Sequence, residues 1–182
     1  MNQDTNPIAR LEPLTASLEA AAWRVVKRRH GPVRNREISQ QVAEISRQYN
    51  RPEGEPLRLN PGLPGRMARL LFFTMADLPK VLLPLAELER AGRLPPGDAP
   101  LKAVDLGAGY GALSLGMLLH RAVRGESGPV SLLVMDQDAE ALETLAELIE
   151  ELRQEELLAG PVELETRATS LSTPPSLEPP LD

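Results

Sequence analysis

The sequence predicts an α/β fold, with a helical region followed by a small parallel sheet whose strands alternate with helices. Three observations lead there. Apolar residues recur at helical spacing as far as Gly92. After Leu101 the pattern changes to short, continuous apolar runs, which suit strands covered on both faces. Longer apolar or amphipathic stretches separate these runs, and the order β-α-β-α-β implies parallel strands joined by right-handed crossovers. The chain therefore divides into a basic helical region (1–100), a sheet-forming region (101–171) and a proline-rich tail without periodicity (172–182).

Each element has local reasons. Leu14, Leu18, Ala21, Ala22 and Val25 form one helical stripe, and Gly31-Pro32 ends it. Asn35 is suited to cap a second helix, whose stripe is Ile38, Val42, Ile45 and Tyr49. Residues 50–65 hold four prolines and three glycines and read as a loop. A third helix starts near Pro64 and carries Met67, Leu70, Leu71, Phe73 and Met75. Pro79 disfavours helix at Leu78, so a break is expected there. A short helix follows with Pro79 in its first turn, and Pro84 lies early enough to be tolerated or to kink it.

Leu101 to Leu106 is the first strand, Gly111 to Val123 a buried helix, and Val130 to Met135 the second strand. Asp138 to Leu158 is an amphipathic helix with inner residues Leu142, Leu145, Ile149 and Leu152, stopped by Gly160-Pro161. Val162 to Thr166 is a weaker third strand.

Composition excludes several classes of function. Hydrophobic residues make up 42% and charged residues 25%, which is ordinary globular usage. Without cysteine there is no disulfide framework, thiolate metal site or cysteine nucleophile, which fits a reducing compartment. His30 and His120 lack metal-ligand spacing, so no metal site is expected, and His120 reads as packed or at a helix edge. The first residues lack a charged stretch followed by an apolar core, so no secretory signal is expected, and no run reaches the ~18 apolar residues of a membrane span. A soluble cytoplasmic protein is expected. Aromatics are only 3%, so stacking on nucleobases is not expected to dominate binding.

The net charge of -6 conceals a division. Trp23 to Phe72 holds 11 Lys and Arg against four Glu, whereas Glu126 to Asp182 holds 14 acids against two Arg. A basic front and an acidic back point to different partners. Lys27-Arg28-Arg29-His30 reads either as a contact for RNA phosphates or as cations at the negative end of a helix dipole. Glu140, Glu143, Glu147, Glu150 and Glu151 lie mostly opposite the Leu stripe and read as a solvated face. Trp23 reads as core.

The informative stretch is Val104-Asp105-Leu106-Gly107-Ala108-Gly109-Tyr110-Gly111. A strand ends, three glycines alternate, and a helix starts. Glycine lets the backbone turn sharply and approach a ligand with no Cβ in the way. The helix start also offers unpaired N–H groups to a polar ligand. Gly107, Gly109 and Ala112 formally satisfy the dinucleotide pattern G-x-G-x-x-G/A. Asp105 argues against a dinucleotide, because a carboxylate repels pyrophosphate and suits a cationic ammonium. Asp136, at the end of the second strand, lies beside the first strand's carboxyl end in a doubly wound sheet, where it can accept from both hydroxyls of a ribose. Asp138 is better placed to cap the following helix. The competing reading is a tight strand-to-helix turn with no ligand and a loop acid, with Tyr110 merely covering the loop.

Asp105-x-Gly107-x-Gly109-x-Gly111 resembles motif I of class I S-adenosylmethionine-dependent methyltransferases, and Asp136 followed by Leu142 resembles their motif II. The resemblance implies a Rossmann-like, doubly wound sheet and S-adenosyl-L-methionine as cofactor. It implies cofactor contacts from Asp105, Gly107, Gly109, Tyr110, Gly111, Asp136 and Gln137, with Asp105 towards the methionine amino group, Asp136 on the ribose and Gln137 near the adenine. Phe72, Phe73, Asp77 and Lys80 precede motif I, where a segment of this superfamily often covers the cofactor.

Gln48-Tyr49-Asn50, Gly65-Arg66-Met67-Ala68-Arg69 and Leu78-Pro79-Lys80-Val81 look like the methyltransferase-like family associated with the mitochondrial and bacterial small ribosomal subunit. That implies rRNA methylation or a role in small-subunit assembly, through the basic region. Alternatives are a non-catalytic assembly protein with a degenerate pocket and a fragment of an NAD-dependent oxidoreductase. The family's cysteine cluster is absent. Only strands 1, 2 and 3 of the family's seven are visible, and Leu177 to Asp182 resembles the approach to strand 4. The acid expected after strand 3 is absent near Arg167-Ala168-Thr169. The chain is thus expected to be truncated, with no catalytic residue assigned. The open edge of strand 1 is expected to need a partner, a further segment or the N-terminal helices.

Overall fold

A computed structural model describes residues 7–50 and 62–170. Most of the expected loop at 50–65, and the 172–182 tail with its resemblance to a strand-4 approach, lie outside the described residues. The described chain is a mixed α/β structure whose sheet has three parallel strands in the order β1-β2-β3.

The front is helical. Helix α1 (Pro7–His30) buries Leu18, Ala21, Ala22, Val25 and Val26 and ends at Gly31 with φ 71°. Trp23 is half-buried against the same core. Helix α2 (Asn35–Tyr49) buries Ile38 and Ile45. Asn35 is not its cap: it has already entered the helix, and extended Arg34 precedes it without a side-chain capping bond. Tyr49 does not complete the buried stripe, for its ring is exposed.

The expected third helix is composite. Helix α3 (Leu63–Ala68) widens into a π-helical turn (Arg69–Thr74), and α4 (Met75–Asp77) resumes normal winding. The Thr74 hydroxyl donates to the Arg69 carbonyl five residues back, 3.0 Å, as a wide turn allows. A 3₁₀ turn (Leu78–Val81) follows at Pro79, and α5 (Leu82–Arg90) takes Pro84 in its first turn, where no intrahelical N–H is needed.

Strand β1 (Leu101–Leu106) pairs with β2 (Val130–Asp136), Leu101 facing Val130 and Leu106 facing Met135. Strand β3 (Val162–Ala168) continues the ladder from Val130↔Val162 to Asp136↔Ala168. Helix α6 (Ala112–Arg124) follows β1, and α7 (Ala139–Gln154) follows β2. Gly116 lets the Leu78 carbonyl lie directly on α6, where any Cβ would collide with it, so the 78–81 segment is held near the mouth of β1.

Helix α7 stops at Gln154, earlier than Gly160-Pro161 implied. Glu155 and Glu156 follow at the negative end of the helix dipole, where acids are unfavourable, and Glu156 turns left-handed at φ 57°. The two sheet edges differ. Exposed Glu163 and Glu165 blunt β3, whereas β1 has only Lys102 and Asp105 among apolar residues. None of the β1 residues is buried, against four in β2, and no strand lies beyond β1 among the described residues.

The basic front and acidic back meet each other. Arg24 bonds Glu151 and Glu155, Arg28 bonds Glu147 and Glu151, and Arg29 bonds Glu143 and Glu147. His30 lies 3.9 Å from Glu140. Much of the acidic face of α7 is therefore an ion-paired seam against α1. The guanidiniums hold the Glu151 and Glu147 carboxyls below their ordinary range; for Glu147 this overcomes the upward push of burial. Among the described residues no helix is long and apolar enough to cross a membrane.

Candidate functional site

A cleft of about 400 Å³ opens where β1 and β2 end. That size suits a small-molecule ligand. Its floor is Asp105 and Leu106 from β1, the loop from Gly107 to Tyr110, Ala112 and Leu113 from the start of α6, and Asp136 from β2. Its lip comes from the helical front, with Tyr49 at the end of α2, Arg69, Phe73 and Thr74 on the π-helical turn, and Asp77 and Lys80 beyond it.

The loop is built on left-handed glycines. Gly107, Gly109 and Gly111 have φ of 73°, 53° and 76°, a region costly for any residue with a Cβ. The Gly107 and Ala108 N–H groups donate to the Met135 carbonyl at 2.8 and 3.1 Å, tying the loop to the end of β2. A Cβ on Gly109 would point into open space, so the backbone there is accessible to a ligand. Gly111 does something different. It is buried, does not line the cleft, and a Cβ there would lie 2.6 Å from the Leu145 methyl carbons on α7. Its role is close packing of α6 on α7.

Asp136 is an anchor as well as a cleft residue. One carboxylate oxygen accepts from Gly109 N–H at 2.9 Å and the other from Asp138 N–H at 2.8 Å. Each oxygen has a second lone pair, so both retain capacity for a ligand hydroxyl. Asp105 accepts from the Ser114 hydroxyl at 2.6 Å through one oxygen. Gln137 is exposed and does not line the cleft.

Asp138 caps α7, accepting from Ala141 N–H at 3.2 Å, and also pairs with Arg66 at 3.0 Å and Arg69 at 2.6 Å. Burial alone pushes its carboxyl up. The bonds from Arg69 and Ala141 and the two arginine charges outweigh burial and hold it below the usual range. Arg66 also reaches Glu140 at 2.9 Å. Arg69 lies 5.4 Å over the Tyr110 ring, so the π-helical turn, the glycine loop and the start of α7 are clamped together. Tyr110 is buried within this clamp, and burial is the main cause raising its hydroxyl above the ordinary value.

Sequence reasoning located Asp105, Gly107, Gly109, Tyr110 and Asp136 at the cleft, and Phe73, Asp77 and Lys80 at its lip. It missed Tyr49, Arg69, Thr74 and Ser114 as site residues. The few aromatic residues are not dispersed: Tyr49, Phe73 and Tyr110 all line this one cleft and Phe72 contacts Phe73 at 5.2 Å. Tyr49 stands in a helical stripe that reads as core, and the resemblance that includes Gln48-Tyr49-Asn50 gives it no site role. His120 lines a separate cleft of about 260 Å³ between α5 and α6, where burial first and Arg124 second lower its pKa. Among the described residues no group of His, Asp and Glu has metal-holding geometry.

Comparisons with family models, with curated proteins and with solved structures give no match.

Proposed function

We propose that the chain carries the S-adenosyl-L-methionine-binding half of a Rossmann-like, class I methyltransferase that acts on RNA, in the setting of the small ribosomal subunit. One observation carries most of the weight: Asp105 and Asp136, at the ends of adjacent parallel strands, share a cleft with a loop of left-handed glycines. The residues present fit the cofactor. Asp105 keeps one oxygen for an ammonium, Gly109 leaves its backbone open, and both Asp136 oxygens can accept from ribose hydroxyls. Bound there, the cofactor supplies an electrophilic methyl on sulfur. The protein's part is to fix the cofactor and orient the acceptor for in-line displacement, so positioning dominates. No catalytic base is assigned.

Calorimetry with S-adenosylmethionine, S-adenosylhomocysteine and NAD tests this reading. Binding of the two sulfur ligands is expected. Tight NAD binding with no response to either would overturn it.

The sparsely charged edge of β1 supports a second part of the proposal, that a partner or a further segment covers this strand. Sedimentation combined with amide exchange checks it. A monomer with protected Lys102 to Leu106 amides and no covering element would contradict it.

A further inference from the structure

We infer that the lip of the same cleft is a stacking site for an unpaired nucleobase of single-stranded RNA, formed by Tyr49, Phe72 and Phe73. The chemical fate of that base rests on the cofactor reading above; its binding does not.

The chain has five aromatic residues, and four of them gather at this cleft. Tyr49 and Phe73 meet with ring centres 5.8 Å apart at 66°, and Phe72 and Phe73 at 5.2 Å and 84°. Such edge-to-face contacts hold the rings in defined orientations. Yet the assembly is not core: Tyr49 is 56% and Phe72 48% exposed. The floor opposite adds Leu106 at 51% and Leu113 at 44%. Surface apolar groups scattered singly need no explanation, but a contiguous set marks a binding surface.

The backbone is shaped to present the rings. Phe72 and Phe73 are adjacent on the π-helical turn, and such turns are frequent at functional sites. Charge selects the occupant. Asp77, Asp105 and Asp136 outnumber Arg69 and Lys80 in the lining, so phosphate is unwelcome inside. A neutral planar base suits the interior, and the exposed Lys80 ammonium, paired with Asp77 at 2.7 Å, keeps further donors that can meet a backbone phosphate. Unpaired RNA offers that combination, since its bases can leave the stack while the backbone stays outside.

The test uses the full chain and a short single-stranded RNA carrying one 2-aminopurine, whose fluorescence is quenched on stacking, with S-adenosylhomocysteine calorimetry as a separate arm. The native chain should bind and quench. Tyr49→Ala with Phe72→Ala should abolish quenching and weaken RNA binding by about tenfold or more, and by more than it weakens the sulfur ligand. Tyr49→Phe, which keeps the ring, should retain both signals. Unchanged RNA binding and quenching in the double variant would overturn the inference. So would a loss confined to S-adenosylhomocysteine, which would give the rings to the cofactor. Quenching without any S-adenosylhomocysteine binding would support the stacking site while removing the cofactor reading.

Discussion

The seam between α1 and α7 and the cleft beyond β1 treat their functional groups in opposite ways. At the seam, guanidiniums and carboxylates more than a hundred residues apart neutralise one another. At the cleft, carboxylates keep spare acceptor capacity, one glycine faces open space, and aromatic and aliphatic side chains stay exposed. A run of cations therefore indicates an external partner only where the fold leaves it unpaired. In this molecule the run that looks most like a nucleic-acid footprint is largely consumed internally, and the incomplete surface lies elsewhere.

The strongest way to break the cleft is Gly111→Ala. The left-handed backbone costs ~1–2 kcal/mol for a residue with a Cβ, and overpacking against fully buried Leu145 adds ~1–3 kcal/mol. Urea denaturation should show a loss of about 3 kcal/mol. A loss below about 1 kcal/mol would mean that the α6–α7 contact relaxes easily.

Asp138→Asn keeps a capping oxygen but removes the charge facing Arg66 and Arg69. A cost of about 1.5–3 kcal/mol is expected. Because folding holds the Asp138 carboxyl low, its contribution is present above the unfolded value of ~3.9 and is lost as pH falls through the lower folded value. Denaturation curves of native and variant chains should therefore converge as the pH is brought below 4. A gap that persists in acid would assign the effect to shape, not charge.

Glu147→Gln with Glu151→Gln should cost least, about 1 kcal/mol in all, since exposed pairs contribute ~0.2–1 kcal/mol each and are screened by salt. The low folded values again place this contribution above the unfolded glutamate range, to be lost on acidification. The same change frees Arg28 and leaves Arg24 with Glu155 and Arg29 with Glu143 as their remaining carboxylate partners. Single-stranded RNA should then bind more tightly and with a steeper salt dependence. Unaltered binding would show that Arg28 contributes nothing even when released.

What could be read in advance follows sequence distance. Strand β1 matched in full, and α6 and β2 matched to within a residue, because apolar runs bounded by glycines are local signals. The glycine loop and Asp136 were legible for the same reason. The π-helical turn was not, since Leu70, Leu71, Phe72 and Phe73 carry no marker distinguishing it from an ordinary helix. Arg69 and Tyr49 reach the cleft only through tertiary packing, and the seam pairs α1 with a helix more than a hundred residues later. Asp136 was assigned to a ligand, but its hold on Gly109 and Asp138 depends on loop geometry that spacing does not reveal.

The most direct measurement is a titration of the ¹⁵N-labelled chain with S-adenosylhomocysteine, following backbone amides by NMR. Saturable shifts are expected at Gly107, Gly109 and the first residues of α6, while α1 amides from Arg24 to Arg29 stay in place. Shifts confined to the α1–α7 seam, or none at the glycine loop at millimolar ligand, would contradict a cofactor site at the end of β1.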